Sequence, residues 1–69
     1  MLWWFERNGI HMHVEILPLA EGGWEFHVVD SSGQERVERV GQDDLAARQK
    51  AIVDDLAADG WHRTGHWTL

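Results

Sequence analysis

The sequence predicts a small α+β domain: an antiparallel four-stranded meander sheet, one helix packed on one face, and a C-terminal strand or tail, in the order β-β-β-β-α-β. Three observations predict it. Asn8-Gly9 stands between two apolar stretches, the signature of a tight hairpin. Glu21-Gly22-Gly23 and Asp30-Ser31-Ser32-Gly33 are further turn signals that divide the next stretch into short strands. After Gln42 the pattern changes to an alanine-rich segment of helical period, closed by Gly60.

The elements follow in order. The first strand is predicted over Leu2–Arg7 and the second over Ile10–Leu17, with Asn8 and Gly9 both tolerating the positive φ of a type I′ turn. Pro18 lacks an N–H and is expected to end that pairing. Trp24–Val29 alternates and reads as the third strand. Gln34–Val40 is the fourth. Its alternation is poor, since Val37 and Val40 differ in parity, which suggests an edge strand or a bulge. The helix is predicted over Leu45–Asp59, with Asp43 as N-cap and Asp44 favouring the positive end of the helix dipole. Trp61–Thr68 is a short strand or docked tail. Residues 1–69 form a single small domain, with no internal repeat or linker.

The hairpin fixes a register. A two-residue loop pairs Arg7 with Ile10, so Trp3, Phe5, Ile10, Met12, Val14 and Ile16 share one face, joined by Trp24, Phe26 and Val28. The helix stripe of Leu45, Ile52, Val53 and Leu56 is expected to cover them. Gln49 falls inside that stripe, and its amide is expected to reach a backbone group. Ala47, Ala51 and Ala58 form a small-residue stripe on the other side. The opposite face of the sheet carries Leu2, Trp4, Glu6, His11, His13, Glu15, Glu25, His27 and Val29, a mixed surface of the kind that an antiparallel sheet can turn to water.

Composition bounds the function. There are 12 acidic against 6 basic residues, a formal charge of −6, which opposes binding to nucleic acid or anionic membrane. Arg7, Arg36, Arg39, Arg48, Lys50 and Arg63 are scattered rather than clustered. No apolar run approaches the ~18 residues of a membrane span. Met1-Leu2-Trp3-Trp4-Phe5-Glu6 has neither the basic flank nor the long apolar stretch of a signal peptide, so a cytoplasmic location is expected. With no cysteine there are no disulfides and no thiolate metal sites. A chain this short buries only about 60 % of its unfolded surface and is marginal alone, so oligomerisation is the default expectation. Five tryptophans, Trp3, Trp4, Trp24, Trp61 and Trp67, exceed what one sheet–helix interface covers.

The candidate functional residues are interface candidates: Trp4, His11, His13, His27, Trp61 and Trp67. His11-x-His13 with His27 on the neighbouring strand could hold a zinc ion, but a flat sheet offers little to orient three imidazoles. No metal and no cofactor is therefore expected. His62 and His66 read as solvated tail residues, and Ser31 and Ser32 are explained by turn chemistry with Asp30. Gly22-Gly23 precedes a strand rather than a helix and makes no phosphate loop. No catalytic residues emerge, so the protein is expected not to be an enzyme.

Two resemblances bear on this reading. A curved four-stranded sheet with a helix on one side resembles, in element order only, the single-stranded-DNA-binding fold of the plant Whirly proteins and their transcriptional coactivator relatives. Indoles on such a sheet can stack bases. Second, Glu21-Gly22-Gly23-Trp24-Glu25, Asp30 to Gly33, Glu35-Arg36-Val37-Glu38-Arg39, Leu45 to Gln49 and Asp59-Gly60-Trp61 together span most of the chain. They resemble small uncharacterised bacterial proteins with a Gly-Gly-aromatic turn, an Asp-x-x-Gly hairpin and an Arg-Gln helix ending in Asp-Gly-Trp. That resemblance implies the same fold and a bacterial cytoplasm, and no assigned activity. The expected role is a non-catalytic, self-associating protein-interaction module, a homodimer with an unnamed protein partner. The alternatives are single-stranded nucleic-acid binding through the Trp-bearing sheet, or a weak metal site on His11, His13 and His27.

Overall fold

Asn8 and Gly9 take positive φ, 53° and 78°. The chain therefore reverses in two residues, and β1 (Leu2–Arg7) runs back along β2 (Ile10–Pro18) with Arg7 opposite Ile10, Phe5 opposite Met12 and Trp3 opposite Val14. β3 (Trp24–Val29), β4 (Glu35–Val40), α1 (Leu45–Ala58) and β5 (His62–Trp67) follow. The computed structural model describes the backbone of residues 1–67 and the side chains of residues 1–65.

The sheet is five-stranded and antiparallel throughout, in the order β4-β3-β2-β1-β5. The C-terminal segment is thus a strand paired with β1. The helix carries the chain from the β4 edge to the β5 edge. Its apolar stripe crosses one face of the sheet, as a layered fold requires of a sheet with one apolar side.

Trp3, Phe5, Met12, Val14, Ile16 and Phe26 form the buried core, with Val14 and Phe26 fully closed to solvent. Trp24, Val28, Leu45, Ile52, Val53, Leu56 and Trp61 are half-buried and pack around it. The expected helix stripe is the one used. Ile10 departs from expectation: it is 45 % exposed. Its parity is that of the core face, but it stands beside the hairpin turn, outside the core cluster.

Several boundaries shift for local reasons. The second strand runs one residue further, with Pro18 as its last member opposite Trp24. β4 is an edge strand, and its register with β3 is regular at all six positions. The irregularity lies instead between Trp4 and Phe5, opposite β5. Asp44, not Asp43, is the residue before the helix, and it makes no side-chain cap. Its N–H donates to the Gly41 carbonyl at 3.0 Å, so a backbone turn starts the helix. The helix ends at Ala58, and Gly60 (φ 88°) turns the chain out. The Gln49 amide donates to the Met1 sulfur at 3.1 Å rather than to backbone.

Gly23 positions the edge strand. It has φ 89°, and a Cβ there would stand 2.7 Å from the Val40 carbonyl oxygen. Only a residue without a side chain lets the β2–β3 turn approach the end of β4 this closely.

Candidate functional site

The sheet face away from the helix is built by parity. β1 contributes Leu2, Trp4 and Glu6, and β2 contributes His11, His13, Glu15 and Leu17. β3 adds Glu25, His27 and Val29, and β4 adds Glu35, Val37 and Arg39. Two rows cross this face. Leu2, Glu15, His27 and Val37 lie side by side, and Trp4, His13, Val29 and Glu35 form the next row.

Apolar side chains on this face stay open to solvent. Trp4 is 39 % exposed and Val37 is 50 % exposed. Leu2, Leu17 and Val29 are half-buried. β5 does not fold over Trp4. It extends the sheet beside β1, where Gly65 is the neighbour of Trp4. A Cβ at Gly65 would lie 3.5 Å from the Trp4 ring, at ordinary van der Waals distance, so the indole lies directly against β5. The Thr64 hydroxyl donates to the Trp4 carbonyl at 3.4 Å.

His27, Glu25 and Glu35 form a tight cluster on this face. His27 Nε2 lies 2.6 Å from Glu25 Oε1, and His27 Nδ1 lies 2.7 Å from Glu35 Oε1. Carboxylates accept and do not donate when ionised, so both ring nitrogens must carry protons to satisfy this pair. The hydrogen bond to Glu35, then that to Glu25, raise the His27 pKa above its ordinary 6.5. Arg39 joins the cluster at 3.5 Å from Glu25. The side chains of His27 and Glu25 are only about a fifth exposed.

The six interface candidates do not share one site. Trp4, His11, His13 and His27 belong to the open face. His11 is exposed and opposes Glu6, His13 opposes Trp4, and His27 opposes Glu15. Trp61 lies on the other side of the sheet, half-buried against the core. The Trp67 backbone pairs with Leu2, and its side chain lies outside the described residues. His27 is engaged by carboxylates rather than by His11 and His13. Among the described residues no group of three or more His, Asp or Glu side chains is placed to hold a metal ion.

Glu35, Val37 and Arg39 were not among the candidates. The length of the Asp30–Gly33 turn decides which β4 residues share a face with His27. The odd parity of Val37 against Val40 was the available signal. The turn itself is built as its residues suggest: Asp30 Oδ1 accepts from the Ser32 hydroxyl, the Ser32 N–H and the Gln34 N–H. These bonds, the Ser32 hydroxyl first, hold the Asp30 carboxyl below its ordinary value.

Comparison with known proteins gives no match: no family model, no curated protein and no solved structure is significantly similar to this chain. No helix among the described residues is long and apolar enough to cross a membrane.

Proposed function

We propose that this protein is a non-catalytic interaction module of the bacterial cytoplasm that works by binding protein, and that its first partner is a second copy of itself. The observation that carries this reading is the open sheet face. Trp4 and Val37 stand exposed there, and no element among the described residues packs over them. Removing such surface from water is favourable at roughly 25 cal/mol per Å². A chain this short gains proportionately more from association than a large one.

The chemistry of the face supports binding over catalysis. The best-placed imidazole, His27, has both nitrogens occupied by Glu25 and Glu35, which leaves no free nitrogen to act as a base. Glu6, Glu15, Glu25 and Glu35 lie on this face against the single arginine Arg39. That balance repels phosphate and counts against nucleic acid despite the exposed indole.

Sedimentation equilibrium at tens of micromolar tests the proposal. A mass of two chains is expected, decreasing toward one chain on dilution. A single-chain mass throughout that range would overturn it.

A further inference from the structure

The free edge of β4 has a charge pattern that fits one partner. Residues 35–39 read Glu-Arg-Val-Glu-Arg. All five are exposed, and β4 has a neighbour on one side only. Antiparallel pairing of this strand with its own copy, with a two-fold axis through Val37, sets Val37 against Val37, Glu35 against Arg39 and Arg36 against Glu38. Every charged residue then faces its opposite. Centring the axis on Arg36 or on Glu38 puts that residue against its own copy, a like-charge contact directly across the ladder, which destabilises.

The backbone satisfies the same register. The Asp30 N–H donates to the Gln34 carbonyl at 3.0 Å, so Gln34 turns its backbone toward β3. Backbone groups alternate in direction along an antiparallel strand. Arg36, Glu38 and Val40 therefore also turn toward β3, and Glu35, Val37 and Arg39 turn theirs outward. An outward N–H and C=O at Val37 is what a two-fold axis at that residue needs, because the two copies exchange both hydrogen bonds there.

Intrachain contacts hold these side chains without exhausting them. Glu38 pairs with Arg48 of the helix, and Glu35 with His27. A carboxylate has about four acceptor sites, so each can take a second donor. Arg39 is 70 % exposed, and Arg36 has no carboxylate partner among the described residues. Charged side chains on an edge strand ordinarily discourage pairing, but the order of signs along β4 makes them complementary to a copy of the same strand. The bulge in this sheet lies by β5, at the other edge.

We infer that two copies of this chain join β4 to β4 about an axis through Val37, giving a continuous ten-stranded sheet with both helices on one side. This rests on the self-association proposed above and places it at the β4 edge, where it covers Val37 and leaves Trp4, three strands away on β1, on the open face. The joined strands extend the open face across both copies and bring the two exposed Val37 side chains together.

Charge exchange tests the register. Arg39→Glu places like charges opposite the partner's Glu35, and Glu35→Arg places like charges opposite the partner's Arg39. Each variant alone should self-associate at least tenfold more weakly in sedimentation, whereas an equimolar mixture of the two should recover a two-chain species, because every pair is again opposite in sign. Val37→Cys supplies an independent reading in a chain without cysteine. Directly opposed residues of a hydrogen-bonded pair have Cα atoms about 5.5 Å apart, within disulfide range. Mild oxidation should cross-link Val37→Cys and leave Ser31→Cys, in the β3–β4 turn, largely monomeric. A wild-type dimer indifferent to both charge variants and without Val37→Cys cross-linking would overturn this surface and leave self-association standing. A monomeric wild type would overturn both.

Discussion

The guanidinium of Arg7 lies over the Trp61 ring, 4.6 Å from its centroid, and the same group donates to Asp59 through both the Oδ2 carboxylate oxygen (2.8 Å) and the backbone carbonyl (2.9 Å). Arg7 ends β1 beside the hairpin turn, and Asp59 to Trp61 end the helix. One side chain thus clamps the turn end of the hairpin to the point where the chain leaves α1. The carbonyl bond also satisfies a backbone group of the helix terminus.

Removing that clamp should loosen the end of the domain without unfolding it. Arg7 is about a third exposed, so solvent screens its ion pair. Cation–π and ion-pair contributions at such sites are each below or near 1 kcal/mol, so Arg7→Ala should cost about 1–2 kcal/mol in urea unfolding. Arg7→Lys keeps the charge but not the planar fork, and should recover only part of the loss. Full recovery by lysine would show that charge alone accounts for the contact.

Core and periphery should separate by mutation. Phe26 on β3 is fully buried, and Phe26→Ala should cost about 3–5 kcal/mol. Leu56 packs on the same core from the helix but is only half-buried, so Leu56→Ala should fall near the lower limit for such truncations, about 2 kcal/mol. Calorimetric or denaturant unfolding gives both numbers. A Leu56→Ala change below half a kilocalorie would mean that the helix does not seat on this face.

His27 should make stability depend on pH. Its pKa is raised in the folded chain by Glu35 and Glu25. The folded state therefore holds the proton more tightly than the unfolded chain. The resulting stabilisation is fully present below the unfolded value near 6.5 and is lost as pH rises through the raised folded value. The gap in urea midpoint between wild type and His27→Gln should accordingly be wider at about pH 5.5 than at about pH 9. An imidazole resonance titrating at or below 6.5 would contradict the arrangement.

Much of the fold is legible from short-range chemistry. Asn8-Gly9 dictates a two-residue turn, and that turn alone sets which residues of β1 oppose which of β2, down to Trp4 against His13. The Leu45, Ile52, Val53 and Leu56 stripe marks the helix face for the same reason: both periodicities are local. The start of the helix is not legible in this way, because a backbone turn from Gly41, rather than an aspartate side chain, begins it.

The candidate site was only half legible. Its β1 and β2 residues follow from one turn, but Glu35, Val37 and Arg39 join it through the pairing of β4 with β3. The place of β5 beside β1 was not legible at all. It brings together residues some sixty positions apart, and no local propensity encodes such a contact. The sequence by itself therefore determined the hairpins, the helix and the two-faced character of the sheet, because backbone sterics and side-chain periodicity act over a few residues. Tertiary structure decided the rest: that the C-terminal strand closes one edge rather than covering Trp4, that Trp61 stacks under Arg7, and that β4 is left with a free edge. Those outcomes depend on which distant surfaces pack best once the core around Phe26 has formed.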